Sequence, residues 1–197
     1  MTRAVYVIGG AGTGKSTFTS QLLGLLGCSY EPLEDLYSLP NKKQSLVTLR
    51  GHRLTPGDGL YLGVHRPSFP GTDGLDRASS FVGADWLRTA ELPSFIVAEG
   101  ATLSTRPFIG ALAGRTELLL IHLVADPFLV DLRCLARGSV QADSFLVATA
   151  TRARNLAALF EPCSRTVDSG DLTDWTDALA ACADFLPIQV ADRALLG

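Results

Sequence analysis

Lysine is scarce in this chain: Lys15, Lys42 and Lys43 are the only ones, and the remaining basic charge is carried by arginine. With Lys+Arg at 17 and Asp+Glu at 20, the formal net charge is −3. That balance lacks the basic excess with which proteins hold nucleic acid nonspecifically. DNA as a specific substrate stays open, since guanidinium is the better fork for phosphate oxygens. Cysteine is sparse and scattered, and Cys28, Cys134, Cys163 and Cys182 form no C-x-x-C pair and have no neighbouring histidine. A zinc site with the usual ligand spacing is thereby excluded, and reduced, partly buried thiols are expected. Long apolar runs are missing too, because the N-terminal run Ala4-Val5-Tyr6-Val7-Ile8 breaks at Gly9. It is too short for a membrane span or a signal-peptide core, so a cytoplasmic protein is expected. Repeats, low-complexity tracts and linkers do not occur. The 197 residues, 47% of them hydrophobic and 19% charged, can bury one core but not two domains with a linker, and one domain over 1–197 is expected.

Apolar strand patterns alternate with helical ones along the chain. Ala4–Ile8 has the composition of a parallel strand buried on both faces. Ser16 to Leu26 then carries Phe18, Leu22, Leu23, Leu25 and Leu26 at helical spacing before Gly27. Ser45–Leu54 and Leu60–Arg66 are predicted as a hairpin around Thr55-Pro56-Gly57-Asp58-Gly59, and Phe69–Arg77 as a glycine-containing loop. Helices are expected at Ala78–Ala90, Thr105–Ala113, from Asp126-Pro127 to Arg137, at Asp143–Phe160 and at Asp171–Phe185. Strands are expected at Ser94–Glu99, Glu117–Val124 and Ser164–Val167. This order implies an α/β fold of three layers, a mostly parallel sheet with helices on both faces.

Between the first strand and the first helix lies Gly9-Gly10-Ala11-Gly12-Thr13-Gly14-Lys15-Ser16, which satisfies G-x-x-x-x-G-K-[ST] at every fixed position. Glycines let successive amides of Gly10, Ala11, Gly12, Thr13 and Gly14 turn inward on an anion, and the helix that follows adds its positive end. Lys15 is expected to reach the β and γ phosphates of ATP or a similar nucleotide, Ser16 to ligate Mg²⁺, and Thr17 to touch the α phosphate.

A carboxylate on the metal side is expected at the end of a neighbouring apolar strand. Glu99 after Phe95-Ile96-Val97-Ala98 fits that position, and Asp126 after Leu120–Val124 is the rival, though Pro127 suits it to capping a helix. The guanine signature N-K-x-D is not satisfied by Asn41-Lys42-Lys43-Gln44, and no apolar strand leads into D-x-x-G. GTPase switch machinery is therefore not expected. Phosphoryl-transfer enzymes need cations over the transferred group. Arg133 and Arg137 are four apart on one helical face, and Arg152 and Arg154 follow on the next helix. Together they suit a small arginine-bearing lid over about 133–154.

Through Gly9–Thr17, Arg133-x-x-x-Arg137-Gly138 and the Arg152/Arg154 pair, the chain resembles P-loop kinases related to nucleoside monophosphate kinases. A narrower likeness is carried by Arg66-Pro67-Ser68-Phe69-Pro70-Gly71-Thr72-Asp73, Ala98-Glu99-Gly100, Arg137-Gly138-Ser139-Val140-Gln141 and Arg152-Ala153-Arg154-Asn155-Leu156. These segments look like bacteriophage P-loop kinases that include the 5-hydroxymethyluracil DNA kinases of thymine hypermodification. Over most of residues 1–168 the resemblance implies an ATP- and Mg²⁺-dependent kinase acting on a hydroxymethylated pyrimidine in DNA, in the cytoplasm of an infected host.

Catalytic candidates are Lys15, Asp73, Glu99, Arg133 and Arg137. Asp73, in a glycine-rich loop, is the candidate base for the acceptor hydroxyl. Arg66 and Arg77 flank that loop and, with Arg152 and Arg154, are candidates for holding the acceptor. Phe69, Phe81 and Trp86 are available either to stack on a base or to pack in the core. Two alternatives stay open: a kinase of free nucleosides or nucleoside monophosphates, and a nucleotide-gated ATPase or binding protein.

Overall fold

The computed structural model describes residues 1–66, 70–136, 138 and 142–188. Its centre is the strand β1 (Arg3–Gly9), flanked in parallel by β5 (Phe95–Glu99) and β6 (Glu117–Val124). Beyond β6 lies β7 (Ser164–Asp168), and beyond β5 lie β4 (Gly59–Leu62), β3 (Leu46–Thr55) and β2 (Ser29–Pro40). The order is β2-β3-β4-β5-β1-β6-β7, parallel from β4 to β7 and antiparallel in β2-β3-β4. Alternation along β1 feeds two cores. Ala4, Tyr6 and Ile8 face α2 (Ser79–Thr89), α3 (Arg106–Arg115) and α5 (Asp143–Leu159). Val5 and Val7 face α1 (Lys15–Leu25) and α6 (Leu172–Phe185). This is the three-layer P-loop fold expected from the alternation of elements.

Most predicted elements recur within a few residues, and the caps explain their ends. Asp126 Oδ1 accepts from the Phe128 amide at 2.8 Å and starts α4 (Pro127–Ala136). Asp171 Oδ1 accepts from the amides of Thr173 and Asp174 and starts α6. Both are helix N-caps. The hairpin is present, but its second strand stops at Leu62, and only an isolated bridge, Val64 to Gly71, continues it.

The sequence did not foretell β2. Its register shifts between Tyr30 and Leu33, around Pro32, and again between Asp35 and Tyr37, and most of its residues are exposed. Proline and irregular pairing are tolerated on an edge strand, and they erase the alternation by which strands are recognised. The strand is pinned by histidine. His52 Nε2 accepts from the His65 amide at 3.1 Å, so Nδ1 carries the proton that is donated to the Glu31 carbonyl at 2.7 Å. Tyr30 stacks on His65 with ring centroids 4.0 Å apart. Trp86 sits in the core, whereas Phe81 is exposed and Phe69 lies outside the described residues.

Candidate active site

Strand β1 delivers the glycine loop to the carboxyl edge of the sheet, between β5 and β6, where chain order reverses on either side. Open parallel sheets offer their binding crevice at such a point. Gly14 immediately precedes α1 with φ of 91°, and a Cβ there would lie 3.3 Å from the Trp175 ring. The backbone thus favours glycine, and the ring beside it leaves little room for a side chain. Lys15 Nζ donates to the Gly10 carbonyl at 2.8 Å, which holds the ammonium across the loop. Thr13 Oγ1 donates to the same carbonyl at 2.9 Å.

Glu99 ends β5 one strand away, 1% exposed, and its Oε1 accepts from Ser16 Oγ at 2.9 Å. Burial, and after it the negative charge of Glu99, pushes the Tyr30 phenol up to about 12 and the Tyr61 phenol well above its usual range. Gly71, with φ of 67°, packs directly on this carboxylate, and a Cβ would fall 2.5 Å from Glu99 Oε1. Among the described residues no three His, Cys, Asp or Glu side chains gather as a metal cluster. A hydroxyl and a carboxylate in mutual contact nevertheless fit Mg²⁺, which takes one or two protein oxygens and completes its shell with phosphate and water.

The loop that carries Asp73 is stitched to the segment following β5. Asp73 Oδ1 accepts from the amides of Ala101 at 2.6 Å and Thr102 at 3.2 Å. Tyr6 Oη donates to the Gly100 carbonyl at 3.2 Å and lies 3.4 Å from Thr72 Oγ1. Ser104 Oγ donates to the same carbonyl at 2.6 Å. Burial raises the Tyr6 phenol far above neutral pH, so it remains a donor.

Of the cavities that border the phosphate loop, two carry most of the charged candidates. One, of about 580 Å³, is lined by Lys15, Asp73, Arg77, Arg152 and Phe145, with hydroxyls from Ser80, Thr102 and Thr105. The other, of about 490 Å³, is lined by Gly14, Thr17, Arg133, Ser169, Gly170 and Trp175. Arg133 Nη1 donates to Ser169 Oγ at 2.8 Å and to the Gly12 carbonyl at 3.4 Å, and Nη2 donates to the Ser169 carbonyl at 2.9 Å.

The structure therefore distributes the sequence candidates. Gly10, Ala11, Gly12, Thr13, Gly14, Lys15, Ser16 and Thr17 form one loop and helix start, with Glu99 against it. Asp73, Arg77 and Arg152 share a cavity with Lys15. Arg154 does not join them, because two residues along a helix turn the side chain to nearly the opposite side. It lines another cavity, of about 400 Å³, which borders the phosphate loop at Gly10, Ala11 and Thr13 and is walled by His122, Val130 and Leu146. Burial and then Arg154 hold the His122 imidazole below its ordinary pKa. Arg66 is exposed past β4, outside the residues lining these cavities, and Arg137 lies outside the described residues.

Sequence reasoning passed over Phe145, Trp175, Ser169 and Gly170. The last two lie between β7 and α6, and a loop at the carboxyl end of a parallel strand is itself a signal for a ligand wall. Phe145 carried no such signal, since an apolar residue near a helix start normally reads as core.

The chain belongs to the P-loop Nucleotide Kinase3 family, whose model matches residues 1–177. No curated protein matches it.

Proposed function

With membership of that family as premise, we propose that the protein transfers the γ-phosphoryl group of ATP to a hydroxyl of a nucleotide-like acceptor. One observation carries this reading: Lys15 of the phosphate loop lines the same cavity as Asp73, Arg77 and Arg152. Donor phosphate and acceptor can meet there, and reactions of this class depend almost wholly on positioning and electrostatics. In the proposed step the acceptor oxygen bonds to the γ phosphorus while the bond from phosphorus to the β–γ bridging oxygen breaks. ADP leaves with that electron pair, and the hydroxyl proton passes to Asp73. Its Oδ1 is committed to the amides of Ala101 and Thr102, so Oδ2 takes the proton.

Lys15 and the loop amides bind the β and γ phosphates. Ser16 and Glu99 are the residues that would hold Mg²⁺, which supplies positive charge to the phosphate oxygens when bound. The cavity beside Arg133 and Trp175 suits the donor base, because an indole face and a guanidinium plane both stack on aromatic rings. Arg77 and Arg152 supply forked donors for an acceptor phosphate.

For the acceptor we propose the hydroxymethyl group of 5-hydroxymethyluracil in phage DNA, which would make this a DNA hypermodification enzyme of the host cytoplasm. The segments Arg66–Asp73, Ala98–Gly100, Arg137–Gln141 and Arg152–Leu156 support it by resemblance. The test is transfer of label from γ-³²P-ATP to duplex DNA containing 5-hydroxymethyluracil, beside unmodified DNA and a panel of nucleoside monophosphates. Label on the modified DNA alone is expected. Label on a free nucleotide would replace the acceptor, and ATP hydrolysis indifferent to every acceptor would replace the kinase with an ATPase.

A further inference from the structure

The cavity that holds Lys15 and Asp73 does not end at Arg152. A second cavity, of about 500 Å³, adjoins it across Thr105, Ala148 and Arg152, which line both. It runs between the start of α3 and the outer half of α5, where it is lined by Ser104, Arg106, Thr151 and Asn155. Phe145, Ala148, Arg152, Asn155 and Leu159 recur at spacings of three and four, so one face of α5 borders the whole length. That stripe covers 14 residue steps, about 21 Å at 1.5 Å per residue. It exceeds the reach of one nucleotide and accommodates several along a strand, which advances about 3.4 Å per nucleotide when stacked.

Charge in this groove departs from that of the chain. The net charge is −3, yet the lining of the two cavities carries Lys15, Arg77, Arg106 and Arg152 against Asp73. Elsewhere Arg50, Arg53, Arg88, Arg115, Arg133 and Arg165 are bound to carboxylate, hydroxyl or carbonyl oxygens. No protein hydrogen bond or ion pair engages Arg77, Arg106 or Arg152 among the described residues. Three exposed guanidinium groups along one groove, with an exposed phenyl ring at its inner end, match alternating phosphates and a base.

We infer that this groove between α3 and α5 is a nucleic-acid strand site, in which Arg106 and Asn155 hold the backbone beside the reacting nucleotide and Phe145 stacks on a base. The inference rests on the acceptor proposed above and adds where the rest of its strand lies and which side chains hold it.

The test reads binding without phosphoryl transfer. Fluorescence anisotropy would follow a labelled single-stranded 12-mer bearing one 5-hydroxymethyluracil, with 5-hydroxymethyl-dUMP and an unlabelled 12-mer as competitors. The 12-mer is expected to compete at least tenfold better than the mononucleotide. Arg106→Ala should weaken the 12-mer roughly tenfold, lower the slope of log affinity against log salt by about 0.7, and leave the mononucleotide unaffected. Asn155→Ala, at a second exposed position, should act in the same direction. An unchanged melting temperature would show that either variant is folded. Equal competition by mononucleotide and 12-mer, or Arg106→Ala weakening neither or both equally, would overturn the strand site. Failure to transfer phosphate while length-dependent binding persists would instead count against the kinase reading.

Discussion

Ser16 Oγ donates to Glu99 Oε1 at 2.9 Å, joining the end of the phosphate loop to the end of β5 across 83 positions of chain. If these oxygens hold Mg²⁺, Glu99→Gln keeps the shape and removes the charge. Turnover is expected to fall at least about a hundredfold, with the Mg²⁺ concentration for half-maximal rate displaced upward. A variant with undiminished rate and an unmoved Mg²⁺ dependence would exclude Glu99 from the metal side.

Lys15 is partly buried and spans the loop to the Gly10 carbonyl. Lys15→Ala is expected to abolish phosphoryl transfer while the melting temperature stays within a few degrees, because no core contact is lost. Retained turnover in the folded variant would sink the assignment of the phosphate cradle.

Arg133 is engaged with Ser169 and the Gly12 carbonyl in the cavity assigned to the donor base. Arg133→Ala is therefore expected to raise KM for ATP more than it lowers kcat, as when binding common to ground and transition states is removed. The opposite split, a fall in kcat at constant KM, would place the guanidinium on the transferred phosphoryl group, as the lid pattern in the sequence suggests.

Gly71 has a left-handed φ of 67° and packs against the Glu99 carboxylate and carbonyl. Gly71→Ala is expected to cost roughly 1–3 kcal/mol from backbone strain alone, with loss of activity through displacement of Glu99. Chemical denaturation and steady-state rates measure the two effects. An alanine variant of unchanged stability would contradict the packing of the Asp73 loop on β5.

His122 faces Arg154 and lies 3.4 Å from Thr166 Oγ1, and burial first, then Arg154, lowers its pKa from 6.5. The unfolded chain consequently binds a proton at higher pH than the folded one. Stability from this group is complete above about pH 6.5 and is lost as the pH falls toward the folded value. The stability of wild type relative to His122→Gln should thus decline between pH 7.5 and 5. A difference that stays constant or grows on acidification would refute the depressed pKa.

Residues close in sequence were the legible ones. The phosphate loop could be read because its glycines, Lys15 and Ser16 fall in one short stretch, so spacing along the chain is spacing in space. The helices capped by Asp126 and Asp171 and the buried strands β1, β5 and β6 were equally legible, since caps and apolar runs are local. The edge strand β2 was not, because Pro32 and two register shifts break its pattern and its backbone ladder runs along β3 on one side.

The sequence by itself determined a P-loop α/β chain with a carboxylate ending the strand that proves to lie beside β1. Only the tertiary structure decided that Asp73, Arg77, Arg152 and Phe145 share a cavity with Lys15 while Arg154 turns away from it. Those residues come from three segments, and their meeting depends on which face of α5 packs against the sheet and on the stitching of Asp73 to Ala101 and Thr102. Burial and long-range hydrogen bonding set both, and neither leaves a local spacing to be read.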